Sequence, residues 1–89
     1  MRAMNRWSVE VTIGEDDGRT YAEATLHDDI GNHLVGKGRA ILNPDDNDVP
    51  EIGDEIAVAR ALTDLGHRLL HVAADDVTTV TGRPAMLVH

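Results

Sequence analysis

The sequence predicts an α+β domain, a three-stranded antiparallel β-meander followed by helix, and three observations carry that expectation. Residues 7–13 and 20–26 alternate apolar and polar side chains with a period of two. Residues 33–42 continue the strand character but place glycine at alternate positions. After residue 50 the apolar residues recur at steps of three and four.

In the first strand Trp7, Val9, Val11 and Ile13 fall on one side, with Ser8, Glu10 and Thr12 on the other, as a half-buried strand requires. The run Gly14 to Gly18 is rich in turn formers and reads as a hairpin connection. The second strand, Thr20 to Leu26, turns Ala22, Ala24 and Leu26 one way and Tyr21, Glu23 and Thr25 the other. Asp28 to Asn32 forms the next turn, and the third strand spans His33 to about Leu42. Gly36 and Gly38 share a face with Leu34, Ala40 and Leu42, beside Ala22 and Ala24 of the second strand. Glycine inside a strand marks a close backbone approach, so these small residues predict a trough in which a helix lies.

Asn43 to Pro50, with two prolines and a run of Asp and Asn, reads as a loop. A long helix is expected from about Pro50–Asp54 to near Val72. Its core face is Ile56, Ala59, Leu62, Leu65, Leu69 and Val72, and Arg68 and His71 complement the C-terminal dipole. Asp75 or Asp76 then reads as the N-cap of a short C-terminal helix to about Thr81, with Val77 and Val80 inward and Gly82-Arg83-Pro84 as its stop. The apolar tail Ala85 to His89 is expected to dock on its own sheet or on a partner subunit.

Residues 1–89 allow a single domain, with residues 1–5 read as a flexible leader. The core material is light: no Phe, Trp7 and Tyr21 as the only aromatics, and no Cys to staple it. A homodimer is expected on that ground, because association buries apolar surface that a monomer leaves wet. No signal sequence and no run of about 20 apolar residues is present, which predicts a cytoplasmic protein without membrane contact.

The formal charge of −8, from 16 acids against 8 bases, opposes non-specific binding to phosphate backbones. The charge is unevenly placed. Asp45, Asp46, Asp48, Glu51, Asp54 and Glu55 crowd one stretch, and Glu15, Asp16 and Asp17 form a second cluster. The bases Lys37, Arg39, Arg60 and Arg68 therefore lie in a less acidic background.

Catalytic chemistry finds little support. Gly36-Lys37-Gly38-Arg39 lacks the glycine spacing, the Ser or Thr and the following helix of a phosphate-binding loop. Lys37 and Arg39 read instead as outward residues facing Glu10 or Glu23 across the sheet. His67 and His71 sit four apart near Asp64, a spacing that can hold a metal. No Glu adjoins His67, however, and Arg68 would repel a cation, so a solvated helix face is the plainer reading. Asp45-Asp46-Asn47-Asp48 resembles a calcium loop until its sixth and twelfth positions are counted: they are Pro50 and Ile56 rather than Gly and an acid. Ser8 is the only serine. The expectation is a non-enzymatic protein with no catalytic residues, metal or cofactor.

The segments Leu34 to Leu42 (LVGKGRAIL), Asn43-Pro44-Asp45 and Val49 to Gly66, above all the run Val-Pro-Glu-Ile-Gly-Asp-Glu from Val49 to Glu55, resemble a family of small actinobacterial proteins of unknown function. That family is described as double-stranded-RNA-binding-domain-like, and some members are associated with dormancy. The similarity runs from Trp7 to the tail. It implies a three-stranded sheet followed by helices, a commonly dimeric state, and a likeness in fold to ribosome hibernation promoting factors. It brings no catalytic residues.

Two functional expectations follow. In the first, a stress- or dormancy-associated protein contacts the ribosome or structured RNA through Lys37, Arg39, Arg60 and Arg68. In the second, an acidic dimeric module steers a basic protein partner to the loop bearing Asp45, Asp46 and Asp48.

Overall fold

The structure, a computed structural model, describes residues 4–41 and 50–83. Three strands, β1 (Ser8–Asp16), β2 (Arg19–His27) and β3 (His33–Ile41), form one antiparallel sheet in the order β1-β2-β3, and a single helix, α1 (Pro50–Thr81), covers one face of it. The expected meander is borne out; the first hairpin is tighter than the sequence suggested, and the second connection, Asp28 to Asn32, is as expected. Asp16 pairs directly with Arg19, leaving only Asp17 and Gly18 as the loop, both with positive φ (54° and 77°). That pair of left-handed residues is the turn whose twist matches the twist of the flanking strands. At the other end the Asp28 carboxylate accepts the N–H groups of Ile30 and Asn32, at 3.0 and 2.9 Å, and so closes the β2–β3 connection.

The glycine trough is present and occupied. A Cβ at Gly36 would overlap the backbone of Ala61 and Leu65, and one at Gly38 would overlap the backbone of Ala57 and Ala61. The register sets Ala24 beside Gly36 and Ala22 beside Gly38, so the floor under the helix is made of the smallest side chains. The buried core is correspondingly built of Ala22, Ala24, Ala40, Ala57 and Ala61, with Leu26 and Leu65.

Two expectations about the helix are corrected. First, its buried stripe is Gly53, Ala57, Ala61 and Leu65, whereas Ile56, Ala59, Leu62 and Val72 are exposed. The sequence stripe follows the large residues. A floor of glycine and alanine admits the helix backbone only where α1 also presents its smallest residues. Of the expected face, Leu65 is buried and Leu69 packs partly buried against the core. Second, there is no separate C-terminal helix beginning at Asp75 or Asp76: α1 continues unbroken for 32 residues to Thr81. Neither Pro nor Gly interrupts residues 67–81, so the Asp pair has no chain reversal to cap. The helix ends at Gly82, which adopts φ 71° and donates its N–H to the Thr78 carbonyl at 2.7 Å. Arg68 and His71 therefore lie well inside the helix, and its last turn holds no basic residue.

The tail Ala85 to His89, and the loop with Asp45, Asp46 and Asp48, lie outside the described residues. Among the described residues, no helix is long and apolar enough to cross a membrane.

Candidate interaction surfaces

The two edges of the sheet are finished differently. In a two-residue hairpin the closing pair exchanges hydrogen bonds, so Asp16 and every second residue back along β1 bond to β2. Carried across the register, this leaves Val9, Val11 and Ile13 with N–H and C=O directed to the free edge of β1. It leaves Lys37 and Arg39 so directed at the free edge of β3. The β3 edge is capped by the helix. The Lys37 N–H donates to Asp64 Oδ2 at 2.8 Å, and Arg60 Nη1 donates to the Arg39 carbonyl at 2.8 Å. Arg68 Nε donates to the same Asp64 oxygen at 2.9 Å. The backbone N–H of Lys37, followed by the bond from Arg68, holds the Asp64 carboxyl below its ordinary value.

This arrangement gathers all four of the cations singled out in the sequence. Lys37 and Arg39 project from the outer face of β3, and Arg60 and Arg68 reach the same edge from α1. A shallow cleft of about 540 Å³ lies between Tyr21, Lys37, Gly38, Arg39 and Arg60. Two of the four are matched by carboxylates: Lys37 lies 3.9 Å from Glu23, its partner across the strands, and Arg68 is bound to Asp64. Asp64 thus serves as an edge cap, not as a third ligand beside His67 and His71.

The β1 edge is different. A helix is about 10–12 Å across and strands are about 4.8 Å apart, so one helix covers two strands. Here α1 lies over β3 and β2 and barely meets β1. Trp7, Val9, Val11 and Ile13 do share the face that α1 packs on, as their alternation indicated, but they remain 37–50 % exposed. At the Trp7 end this apolar row opens into a cleft of about 610 Å³ lined by Trp7, Leu26, Ile30, Leu34, Leu69 and Val72.

Charge is sorted along the molecule. The antiparallel register places the β1–β2 turn, with Glu15, Asp16 and Asp17, at the same end as Ile41 of β3. Because Gly38 packs on Ala57, the first turns of α1 with Glu51, Asp54 and Glu55 lie at that end too. Glu15, Asp16 and Asp17 and the described acids of the second cluster, Glu51, Asp54 and Glu55, separate in sequence, thus form one acidic end. At the opposite end His27 and His33 face each other across β2 and β3, their ring centroids 4.7 Å apart in an edge-to-face contact.

The β1 row was missed as a site in the sequence, where its alternation signals a buried face. The available signal was arithmetic: three strands and one covering helix leave one strand uncovered.

Comparison with known proteins gives one consistent result. The family model described as Rv2632c-like matches residues 5–86. An uncharacterized protein of Mycobacterium tuberculosis (strain CDC 1551 / Oshkosh) is 49% identical over 86 residues, covering 97% of this chain and 90% of the relative. The uncharacterized protein Rv2632c of Mycobacterium tuberculosis (strain ATCC 25618 / H37Rv) is 42% identical over 81 residues, covering 91% of this chain and 86% of its own. The crystal structure of Rv2632c superimposes with a TM-score of 0.83 at 40% identity, over 93% of this chain and 98% of that one.

Proposed function

The chain belongs to the Rv2632c-like family, and from that premise and its own surfaces we propose that it is a non-enzymatic protein-interaction module whose docking element is β1. The observation behind this reading is the contrast between the edges. Helix side chains cap the β3 edge, whereas β1 keeps an open row of N–H and C=O groups beside an apolar face. An open edge of that kind is a template for an added strand, and proteins that do not use one blunt it with charge, proline or cover. The partner segment is an extended chain. Alternate apolar side chains lie along Val9, Val11 and Ile13, one apolar residue enters the cleft at Trp7, and basic residues meet the acidic end at Glu15, Asp16 and Asp17. The acidic loop with Asp45, Asp46 and Asp48 acts with that end in steering a basic partner.

The test is a titration with a synthetic peptide of alternating valines and threonines flanked by lysines, followed through the emission of Trp7, the chain's only tryptophan. A saturable change that weakens with salt and disappears in Val11→Glu is expected. No change, or an undiminished one in Val11→Glu, contradicts the reading.

A second reading, contact with the ribosome or structured RNA in a stress or dormancy state, is favoured by the gathering of Lys37, Arg39, Arg60 and Arg68 on one edge. The double-stranded-RNA-binding-domain-like resemblance points the same way. It ranks second because Glu23 and Asp64 already answer two of those cations, on a chain of net charge −8.

A further inference from the structure

The helix outlasts the sheet that it covers. Gly38 packs against Ala57 and Ala61, and Gly36 against Ala61 and Leu65, so one turn of α1 passes two residues of β3. At that rate α1 draws level with His33, the first residue of β3, near Leu69, and it continues to Thr81 with no strand beneath it. The cleft of about 610 Å³ opens where the sheet runs out, walled by Trp7, Leu26, Leu34, Leu69 and Val72. That volume lies within the range of about 300–1,000 Å³ in which small molecules are bound.

The walls are apolar and the rim is acidic. On the sheet side Asp28 is held in place by the N–H groups of Ile30 and Asn32. On the helix side stands Asp76, which takes part in neither ion pair among the described residues. It lies in the C-terminal third of α1, whose last turn holds no basic residue, so the negative end of the helix dipole adds to its charge. No Lys or Arg among the described residues lines the cleft, and His33, the one base that does, meets His27 edge-to-face. Trp7 is the second observation. In a chain whose core is built largely of alanine, the only tryptophan stands outside that core, half exposed against this cleft.

We infer that the cleft binds a small amphipathic organic cation, an aromatic or branched alkyl group that carries a protonated or quaternary ammonium. The apolar body lies between Leu34, Leu69 and Val72, and the charge lies between Asp28, Asp76 and the indole of Trp7. Charge selects this occupant over the alternatives. A neutral apolar body would fill the walls but would strip water from two carboxylates and give nothing in return. An anion would be repelled by the same pair, on a chain of net charge −8. A cation answers both carboxylates, and an indole is the aromatic side chain that holds a cation best. The site uses neither the cationic edge of β3 nor the open N–H and C=O groups of β1, so it goes beyond the peptide-docking reading and does not depend on it. The two meet at one point: the ligand takes the space offered to the partner's apolar residue beside Trp7, and the two compete there.

The experiment is a titration of the full chain with phenethylammonium, followed through the emission of Trp7, with neutral phenethyl alcohol and anionic hydrocinnamate as matched probes. The cation should give a saturable change, the alcohol should bind roughly tenfold more weakly, and the anion should give no change. Asp76→Asn should weaken the cation severalfold. Ala73→Phe, which places a ring in the cleft, should abolish its binding. Circular dichroism on both variants should show the helix content of the wild type. Alcohol that binds as tightly as the cation overturns the inference, as does cation binding undiminished in Asp76→Asn, or no saturable change at all. Val11 does not line the cleft, so Val11→Glu should bind the cation as the wild type does while losing the peptide. A failed peptide titration and a failed cation site are therefore separable results.

Discussion

The carboxylate of Asp64 accepts the backbone N–H of Lys37 at 2.8 Å, which ties the centre of α1 to the free edge of β3. One side chain thereby fixes the helix over two strands and closes that edge to further pairing. With Arg60 holding the neighbouring carbonyl of Arg39, it decides which side of the sheet is left open.

This latch titrates. The Asp64 carboxyl is held below its usual 3.8 by the Lys37 N–H and by Arg68, so its contribution to stability is present above the unfolded value and is lost as pH falls through the lower folded value. Asp64→Ala is expected to melt earlier than the wild type at neutral pH, with the two curves converging on the acid side of 3.8. A difference that persists unchanged into strong acid would show that the carboxylate's charge is irrelevant to the latch.

The glycine trough predicts a contrast between two glycines of the same sheet. Gly38→Val drives a branched side chain into the backbone of Ala57 and Ala61 and should cost roughly 1–3 kcal/mol or more. Gly14→Thr, where a Cβ meets nothing within 4 Å, should be neutral or slightly stabilising, since threonine suits a strand better than glycine. Chemical denaturation of the two variants checks both values, and equal effects would refute the packing.

The two readings of function separate on salt and charge. If the cationic edge binds the ribosome, Arg39→Glu with Arg60→Glu should abolish co-sedimentation, and pelleting of the wild type should fade as salt rises. The protein-docking reading expects no pelleting of the wild type at physiological salt and full peptide binding by the same double variant. Ribosome binding that survives physiological salt and is lost with those two arginines would reverse the ranking.

The sheet was legible because alternation and glycine placement are local signals: Val9 to Ile13, Ala22 to Leu26 and the Gly36–Gly38 pair fix the strands, their facing and the trough. The helix was legible in its start and its amphipathic character, but not in its orientation. Large residues dominate any periodic reading, and the trough selected Gly53, Ala57 and Ala61 instead. Its continuation past Val72 was hidden because Asp75 and Asp76 look like caps in one dimension, although no proline or glycine lies between residues 67 and 81. The four cations were identifiable as a set. Their convergence depended on the crossing of α1 over β3, which no spacing encodes. That β1 stays uncovered follows from the width of a helix against three strands, a relation between elements, not between neighbouring residues.

Amide hydrogen exchange on the full chain, alone and with the alternating peptide, tests the docking role of β1 most directly. The N–H groups of Val9, Val11 and Ile13 point to the open edge, so they should exchange quickly in the free protein and slow down when the peptide binds. The N–H of Lys37, already bonded to Asp64, should be protected in both. If the β1 amides are slow in the free protein, or if the peptide protects some other element and leaves β1 unchanged, β1 is not the docking strand.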